Sequence, residues 1–303
     1  MPILEDINQP GVANDQVGCY RYREEGRHIG HERGSCESAG HGLYRRRNPM
    51  SDSVSKSGKA AGMAFVTGGS RGIGAAICRQ LAADGYAVAV GYGHNEAAAQ
   101  SVVAAIRDAG GTAEAVHVDV SELDSIDDRI GEAEAALGRL SVLVANAGVT
   151  GEARRVDEQS LGNIEDVFRV NAVAPIACAQ AAVRRLSTRH GGQGGAIVIM
   201  SSVAAHSGGA GGLATYGASK GAMETFILGL GKEVADEGIR VTGVAPGIID
   251  TDMPPDELRE AAETVVPMGR LGKPAEIADA VSWLVSDRAS FVTGESVTVS
   301  GGR

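Results

Sequence analysis

Short apolar runs and longer segments of helical period alternate along most of the chain. The runs GMAFVTG, YAVAVGY, AEAVHV, LSVLVANAG, GGAIVIMSS, IRVTGVAPG and ESVTVSGG are rich in Val, Ile and Ala and end in turn residues, which predicts strands. Their apolar positions are nearly continuous, as in a parallel sheet covered on both faces. Between them lie Ala-rich segments such as NEAAAQSVVAAIRDAG, which closes on glycine as helices commonly do. Strand and helix in alternation imply right-handed crossovers. The expected fold is α/β: a single doubly wound Rossmann domain over residues 61–303, with a seven-stranded parallel sheet and helices on both faces.

Residues 1–60 differ in texture. They mix charges and glycines and keep no period of two or 3.6, so they are expected to form a disordered N-terminal extension. The start lacks the basic-then-apolar order of a secretory signal and is too acidic for a mitochondrial presequence. Composition narrows the function further. A net charge of −10 argues against a nucleic-acid groove. No apolar run is long enough to span a bilayer. Cys19, Cys36, Cys78 and Cys178 show neither metal-ligand spacing nor a dense disulfide framework. No metal is expected, and a reducing, cytoplasmic setting fits.

The stretch Thr67-Gly68-Gly69-Ser70-Arg71-Gly72-Ile73-Gly74 lies where the first strand turns into the first helix. Gly68 suits a tight turn, Gly72 leaves room for a pyrophosphate, and Gly74 allows close helix–strand packing. With Ser70, Arg71 and Ile73 they form a loop at a helix N-terminus, whose free N–H groups and dipole favour phosphate. The spacing T-G-x-x-x-G-x-G resembles the glycine motif of the short-chain dehydrogenase/reductase family. The second strand ends at Tyr92, Gly93, His94 and Asn95 with no acid before Glu96. An acid there commonly binds the ribose 2′-hydroxyl of NAD. Arg71 can instead meet a 2′-phosphate, so NADP(H) is favoured over NAD(H); the plainer reading is an arginine facing solvent.

The resemblance continues in chain order to Arg303. It implies that Asp119, followed by Val120, lies at the adenine; the alternative is a helix cap, a role Ser121 also fits. Asn146-Ala147-Gly148 matches the family's N-A-G, with small residues against the cofactor and Asn146 stabilising strand ends. Tyr216-Gly217-Ala218-Ser219-Lys220 puts Tyr216 and Lys220 on one helix face. A phenol normally titrates at ~10, and a nearby ammonium is expected to lower that value. Alone, such a pair is usually a surface pair. By resemblance, Ser202 is the catalytic serine, with Ser201 one position away as the competing choice. Asn171 matches the helix asparagine that holds a water in the proton relay. Pro246, Gly247, Ile248 and Thr251 match the segment beside the nicotinamide, though Pro-Gly also makes ordinary turns.

The expected function is hydride transfer between NAD(P)(H) and a carbonyl or secondary alcohol. Tyr216 serves as general acid/base, and Lys220 also orients the ribose. The substrate is a small molecule of ketone, sugar or 3-oxoacyl type. Pocket walls are expected from Ala204 to Leu213, from Gly148 to Arg155, and from a short lid helix after Thr251, with His206 at the rim. A carrier-protein substrate would call for a basic patch, for which Arg154, Arg155, Arg184 and Arg185 are the candidates. The family resemblance implies a homotetramer. The alternative function is a non-catalytic, redox-sensing regulator on the same fold.

Overall fold

A computed structural model describes residues 62–303 apart from residue 255. The N-terminal extension expected over residues 1–60 lies outside the described residues. The seven apolar runs form β1 (Met63–Val66), β2 (Ala87–Tyr92), β3 (Thr112–His117), β4 (Leu140–Ala145), β5 (Gly195–Met200), β6 (Ile239–Pro246) and β7 (Glu295–Val299). All pair in parallel, in the order β3-β2-β1-β4-β5-β6-β7.

The helices are α1 (Gly72–Ala83), α2 (Glu96–Asp108), α3 (Ile126–Leu137), α4 (Leu161–Phe168), α5 (Ala174–Leu186), α6 (Ala204–Ser207), α7 (Ala214–Glu233), α8 (Asp256–Glu260), α9 (Ala262–Val265) and α10 (Pro274–Val285). Local chemistry sets several ends. Asn95 caps α2 by accepting the Ala98 N–H at 2.9 Å. Pro274 opens α10, whose first turn is closed by Glu276 accepting the Lys273 N–H at 2.7 Å.

Strand side chains alternate between two cores. Ala64 and Val66 of β1 join Ile77, Leu81, Val102, Ile277 and Val281 from α1, α2 and α10. Met63 and Phe65 point the other way, onto Ile126, Ile130, Ala179, Met223 and Ile227 from α3, α5 and α7. Burial on both faces accounts for the near-continuous apolar runs of β1, β2, β4, β5 and β6, while the edge strands β3 and β7 are only partly buried. Each fully buried Leu, Ile or Phe contributes about 1.5–3 kcal/mol.

The chain winds outward from β1 to β3, then returns to β4 and winds the other way. That reversal between neighbouring β1 and β4 leaves a crevice at their carboxyl ends, the usual ligand site in open α/β sheets. The residues singled out by sequence at the ends of β1, β4, β5 and β6 therefore converge on four adjacent strands.

Candidate active site

Thr67 to Arg71 carry the chain from β1 into α1. Gly68 and Gly72 have φ of +62° and +53°, left-handed values that favour glycine. At Gly74 the constraint is space: a Cβ there would stand 2.1 Å from the Gly68 carbonyl oxygen and 2.6 Å from Asn146 Nδ2. The N–H groups of Gly72, Ile73 and Gly74 lie in the first turn and have no intrahelical acceptor. The first turn closes only when the Ala75 N–H reaches the Arg71 oxygen at 3.1 Å. With Ser70 in the preceding turn, these donors form a side-chain-free cradle that fits a pyrophosphate.

The cradle is tied to β4 by two polar side chains. Thr67 Oγ1 is buried and accepts the N–H groups of Asn146 and Ala147 at 2.9 and 3.0 Å. Asn146 Nδ2 donates to the carbonyls of Thr67 and Gly68 at 2.9 and 3.1 Å. Thr67 was not among the expected site residues; its position at the head of the glycine motif was the available signal.

Tyr92 ends β2 and packs edge-on against His117 of β3, with ring centroids 5.4 Å apart. Asp119 accepts the Ser121 N–H at 2.9 Å and the Ser121 hydroxyl at 2.7 Å. Those hydrogen bonds hold its carboxyl below the usual range. The pair forms a turn rather than a helix cap, since α3 starts only at Ile126. Val120, between them, packs against the core. Arg71 is largely exposed, and its guanidinium lies 3.9 Å from the Asp252 carboxylate.

Ser202, Tyr216, Lys220 and Asn171 come together beside Gly148. A Cβ on Gly148 would lie 3.2 Å from Asn171 Oδ1 and 3.5 Å from Lys220 Nζ. The Ser202 side chain lies close enough to the Tyr216 phenol to lower its titration, and it accepts the Ala204 N–H at 3.1 Å. Ser201 is buried and its hydroxyl turns toward the Lys220 carbonyl at 3.5 Å. Of the two serines, Ser202 therefore faces the phenol.

Lys220 is buried, with Nζ 5.9 Å from the centre of the Tyr216 ring. Its ammonium donates to the Met200 carbonyl at 2.8 Å. Burial pushes this ammonium down to about 8. Burial also raises the Tyr216 phenol above the usual tyrosine range, and the neighbouring Ser202 hydroxyl opposes that rise. The expected lowering by Lys220 is not seen in this geometry. The ammonium is committed to a backbone carbonyl rather than to the phenol.

Asn171 is fully buried, in a π-helical turn (Arg169–Val173) between α4 and α5. Such turns recur at functional sites. Its side chain accepts the Val149 N–H at 2.9 Å and donates to the Val149 carbonyl at 2.7 Å. It also donates to Ser219 Oγ at 3.1 Å, and Ser219 donates to the Tyr216 carbonyl at 2.7 Å. Ser219 thus links Asn171 to the tyrosine helix, a role that the Y-x-x-x-K spacing does not disclose. Gly217 lets α6 approach that helix: a Cβ there would lie 2.7 Å from the Gly208 carbonyl carbon.

Pro246 closes β6, and its carbonyl accepts the Val203 N–H at 3.1 Å, joining this strand end to the Ser202 turn. The Gly247 N–H donates to Val299 at 2.9 Å. The Ile248 N–H has no acceptor among the described residues and is available to a ligand. Thr251 sits over the glycine loop, with its Cγ2 3.2 Å from where a Gly72 Cβ would be. The expected single lid helix is two short ones, α8 and α9.

At the mouth, the Arg154 N–H donates to the Gly212 carbonyl at 3.2 Å, and Gln159 Nε2 bonds the Arg154 carbonyl at 2.9 Å. The two expected walls therefore touch, and His206 is exposed beside them. The basic patch is not present as expected. Arg154 pairs with Glu152 at 3.1 Å and Arg155 with Asp157 at 3.0 Å. Arg184 approaches Asp127 at 3.6 Å, while Arg185 bonds Asp127 and Glu134 at 2.7 and 2.9 Å. Neighbouring carboxylates offset all four cations.

A family model described as enoyl-(acyl carrier protein) reductase matches residues 68–303. The chain is 40% identical over 246 residues to the uncharacterized oxidoreductase YgfF of Escherichia coli (strain K12), covering 80% of this chain and 99% of that one. It is 37% identical over 242 residues to the 3-oxoacyl-(acyl-carrier-protein) reductase FabG of Staphylococcus aureus (strain Mu50), covering 79% and 96%. Among solved structures, it resembles a short-chain dehydrogenase from Burkholderia cenocepacia J2315 in complex with NADP. The TM-score is 0.75 at 36% identity, covering 80% of this chain and 97% of that one. The chain belongs to the short-chain dehydrogenase/reductase family, nicotinamide-dependent oxidoreductases that act on carbonyl and alcohol groups.

Proposed function

We propose that residues 61–303 form a reductase or dehydrogenase of a small, untethered carbonyl or secondary alcohol, with Tyr216 as the proton donor and acceptor. The observation that carries this reading is the convergence of the Ser202 hydroxyl, the Tyr216 phenol and the buried Lys220 ammonium beside the glycine cradle.

The nicotinamide supplies or accepts the hydride when bound. The N–H groups of Gly72, Ile73 and Gly74 hold its pyrophosphate, Tyr92, Asp119 and Val120 border the adenosine, and the free Ile248 N–H fixes the carboxamide. Ala147 and Gly148 leave room for it, and Lys220 orients the ribose. Ser202 donates to the substrate oxygen and stabilises charge developing there. In reduction, Tyr216 gives its proton to that oxygen; in oxidation it takes the proton back. A burial-raised phenol suits the first direction. Asn171 holds Gly148 and Val149 against Lys220 and, through Ser219, the carbonyl side of Tyr216. By family likeness it also orders a water leading protons to Lys220.

NADP(H) is favoured over NAD(H). β2 ends without an acid before Glu96, and Arg71 of the cradle is exposed to meet a 2′-phosphate. The similar Burkholderia protein was solved with NADP. The carboxylate-paired arginines favour a free substrate over one tethered to an acidic carrier. Homotetramer assembly is supported by apolar side chains left exposed on the site helices, Ile176 of α5 and Leu228 of α7, and by fully exposed Phe291 before β7.

A panel of ketones, sugars and 3-oxoacyl thioesters, with NADPH and NADH followed at the nicotinamide absorbance, tests this reading. Turnover of free ketones or sugars with NADPH is expected. Activity confined to carrier-bound thioesters overturns the untethered substrate.

A further inference from the structure

Beyond Ile248 the chain crosses the glycine loop as Ile249-Asp250-Thr251-Asp252. One end of this crossing is fixed by backbone pairing: the Gly272 N–H donates to the Ile248 carbonyl at 2.9 Å, and the Asp250 N–H to the Gly272 carbonyl at 2.8 Å. The other end carries Thr251, which packs on Gly72. Its backbone carbonyl is held from the lid. Arg259 Nη1 donates to Asp250 Oδ1 at 2.7 Å, and Nη2 donates to the Thr251 carbonyl. One planar guanidinium thus grips a carboxylate and the next residue's carbonyl, which a point-charge ammonium cannot reproduce in full. Arg259 is only 28% exposed, against 78% for Arg71, whose contact with Asp252 is also longer at 3.9 Å. The lid-side grip is the stronger of the two.

For a phosphate-bearing ligand in the cradle, the consequence is that the guanidinium keeps Thr251 seated over the first turn of α1. We infer that Arg259 is a positioning residue for the cofactor, the catch through which helix α8 holds the Asp250–Thr251 crossing onto the glycine loop. This rests on the reading of that loop as the cofactor cradle.

The test is direct NADPH binding to the full-length chain, followed by nicotinamide fluorescence without any substrate. Arg259→Gln is expected to raise the Kd for NADPH about 10-fold, the scale of a lost charge-assisted hydrogen bond. Arg259→Lys should recover part of that loss. Asp250→Asn should weaken binding too, and the double variant should bind no worse than Arg259→Gln alone, because both changes break one contact. The ligand-free unfolding temperature should stay near wild type, which separates positioning from a structural role. Arg129→Gln, at a pair within α3, should bind as wild type does. Should Arg259→Gln fail to fold, Asp250→Asn reads the same contact. Wild-type affinity in Arg259→Gln, or in Asp250→Asn, overturns the inference and leaves the cradle reading intact. Absence of saturable binding in wild type overturns both.

Discussion

Lys220 Nζ donates to the Met200 carbonyl at 2.8 Å while standing 5.9 Å from the centre of the Tyr216 ring. Holding an ammonium in this buried place has a cost. An unfolded lysine keeps its proton to ~10.4, whereas the folded one keeps it only to about 8. Between those values the unfolded chain binds more protons, so stability rises with pH across that window. Below about 8 the full cost is present.

Lys220→Met keeps the length of the side chain and removes the charge. It should raise the unfolding temperature at pH 7 by roughly 2–4 °C and abolish the stability gain between pH 8 and pH 10.5. Turnover should be lost. Calorimetry across pH checks this; an unchanged or lower unfolding temperature at pH 7 counts against a buried Lys220 charge that is held at a net cost.

Ser202 is the group that opposes the burial-raised titration of Tyr216. Ser202→Ala should move the ascending, low-pH limb of alcohol oxidation to higher pH and lower the rate about 10²–10³-fold. Ser201→Ala, which loses only a contact to the Lys220 carbonyl, should leave the position of that limb unchanged. A pH–rate profile for each variant distinguishes the two serines.

The sheet and the site differ in how legible they were. The inner strands, buried on both faces, wrote the longest apolar runs, and all seven predicted strands appear in the fold. The glycine motif was readable because Gly68, Gly72 and Gly74 answer to steric rules that other residues break. The π-helical setting of Asn171 was not, because a register change of one residue leaves no compositional mark. Lys220's partner is the carbonyl of Met200, and backbone acceptors have no residue type. The grip of Arg259 on Asp250 and Thr251 depends on how the lid folds back. The four arginines of the expected docking patch look cationic in sequence, while their carboxylate partners are supplied by folding or by nearby turns.

Asn171→Ala removes the side-chain partner of both the Val149 N–H and the Val149 carbonyl. Leaving those groups unpaired should destabilise the fold by about 2–4 kcal/mol. The midpoint of urea unfolding, at unchanged slope, reads this directly. A loss below about 0.5 kcal/mol, as at ordinary surface positions, contradicts a pinning role.

Gly74→Ala places a methyl 2.1 Å from the Gly68 carbonyl oxygen. The Gly68 backbone and the Asn146 side-chain amide, itself bonded to the Thr67 and Gly68 carbonyls, leave it nowhere to go, so α1 must shift away from β1. NADPH affinity should fall at least ~10-fold, with stability reduced by about 1–3 kcal/mol. Wild-type affinity and stability together would show that the helix and the strand are less closely packed than found.

Tyr216 is the proposed source of the proton, so its hydroxyl is the most direct place to look. NADPH binding and NADPH oxidation are to be measured on wild type and Tyr216→Phe with the best free ketone of the panel. Turnover should fall by at least ~10²–10⁴-fold in the variant, with the Kd for NADPH within about 3-fold of wild type, a shift of under 1 kcal/mol. Turnover retained in Tyr216→Phe contradicts the proton role, and NADPH binding without turnover of any carbonyl by wild type favours a redox-sensing regulator instead.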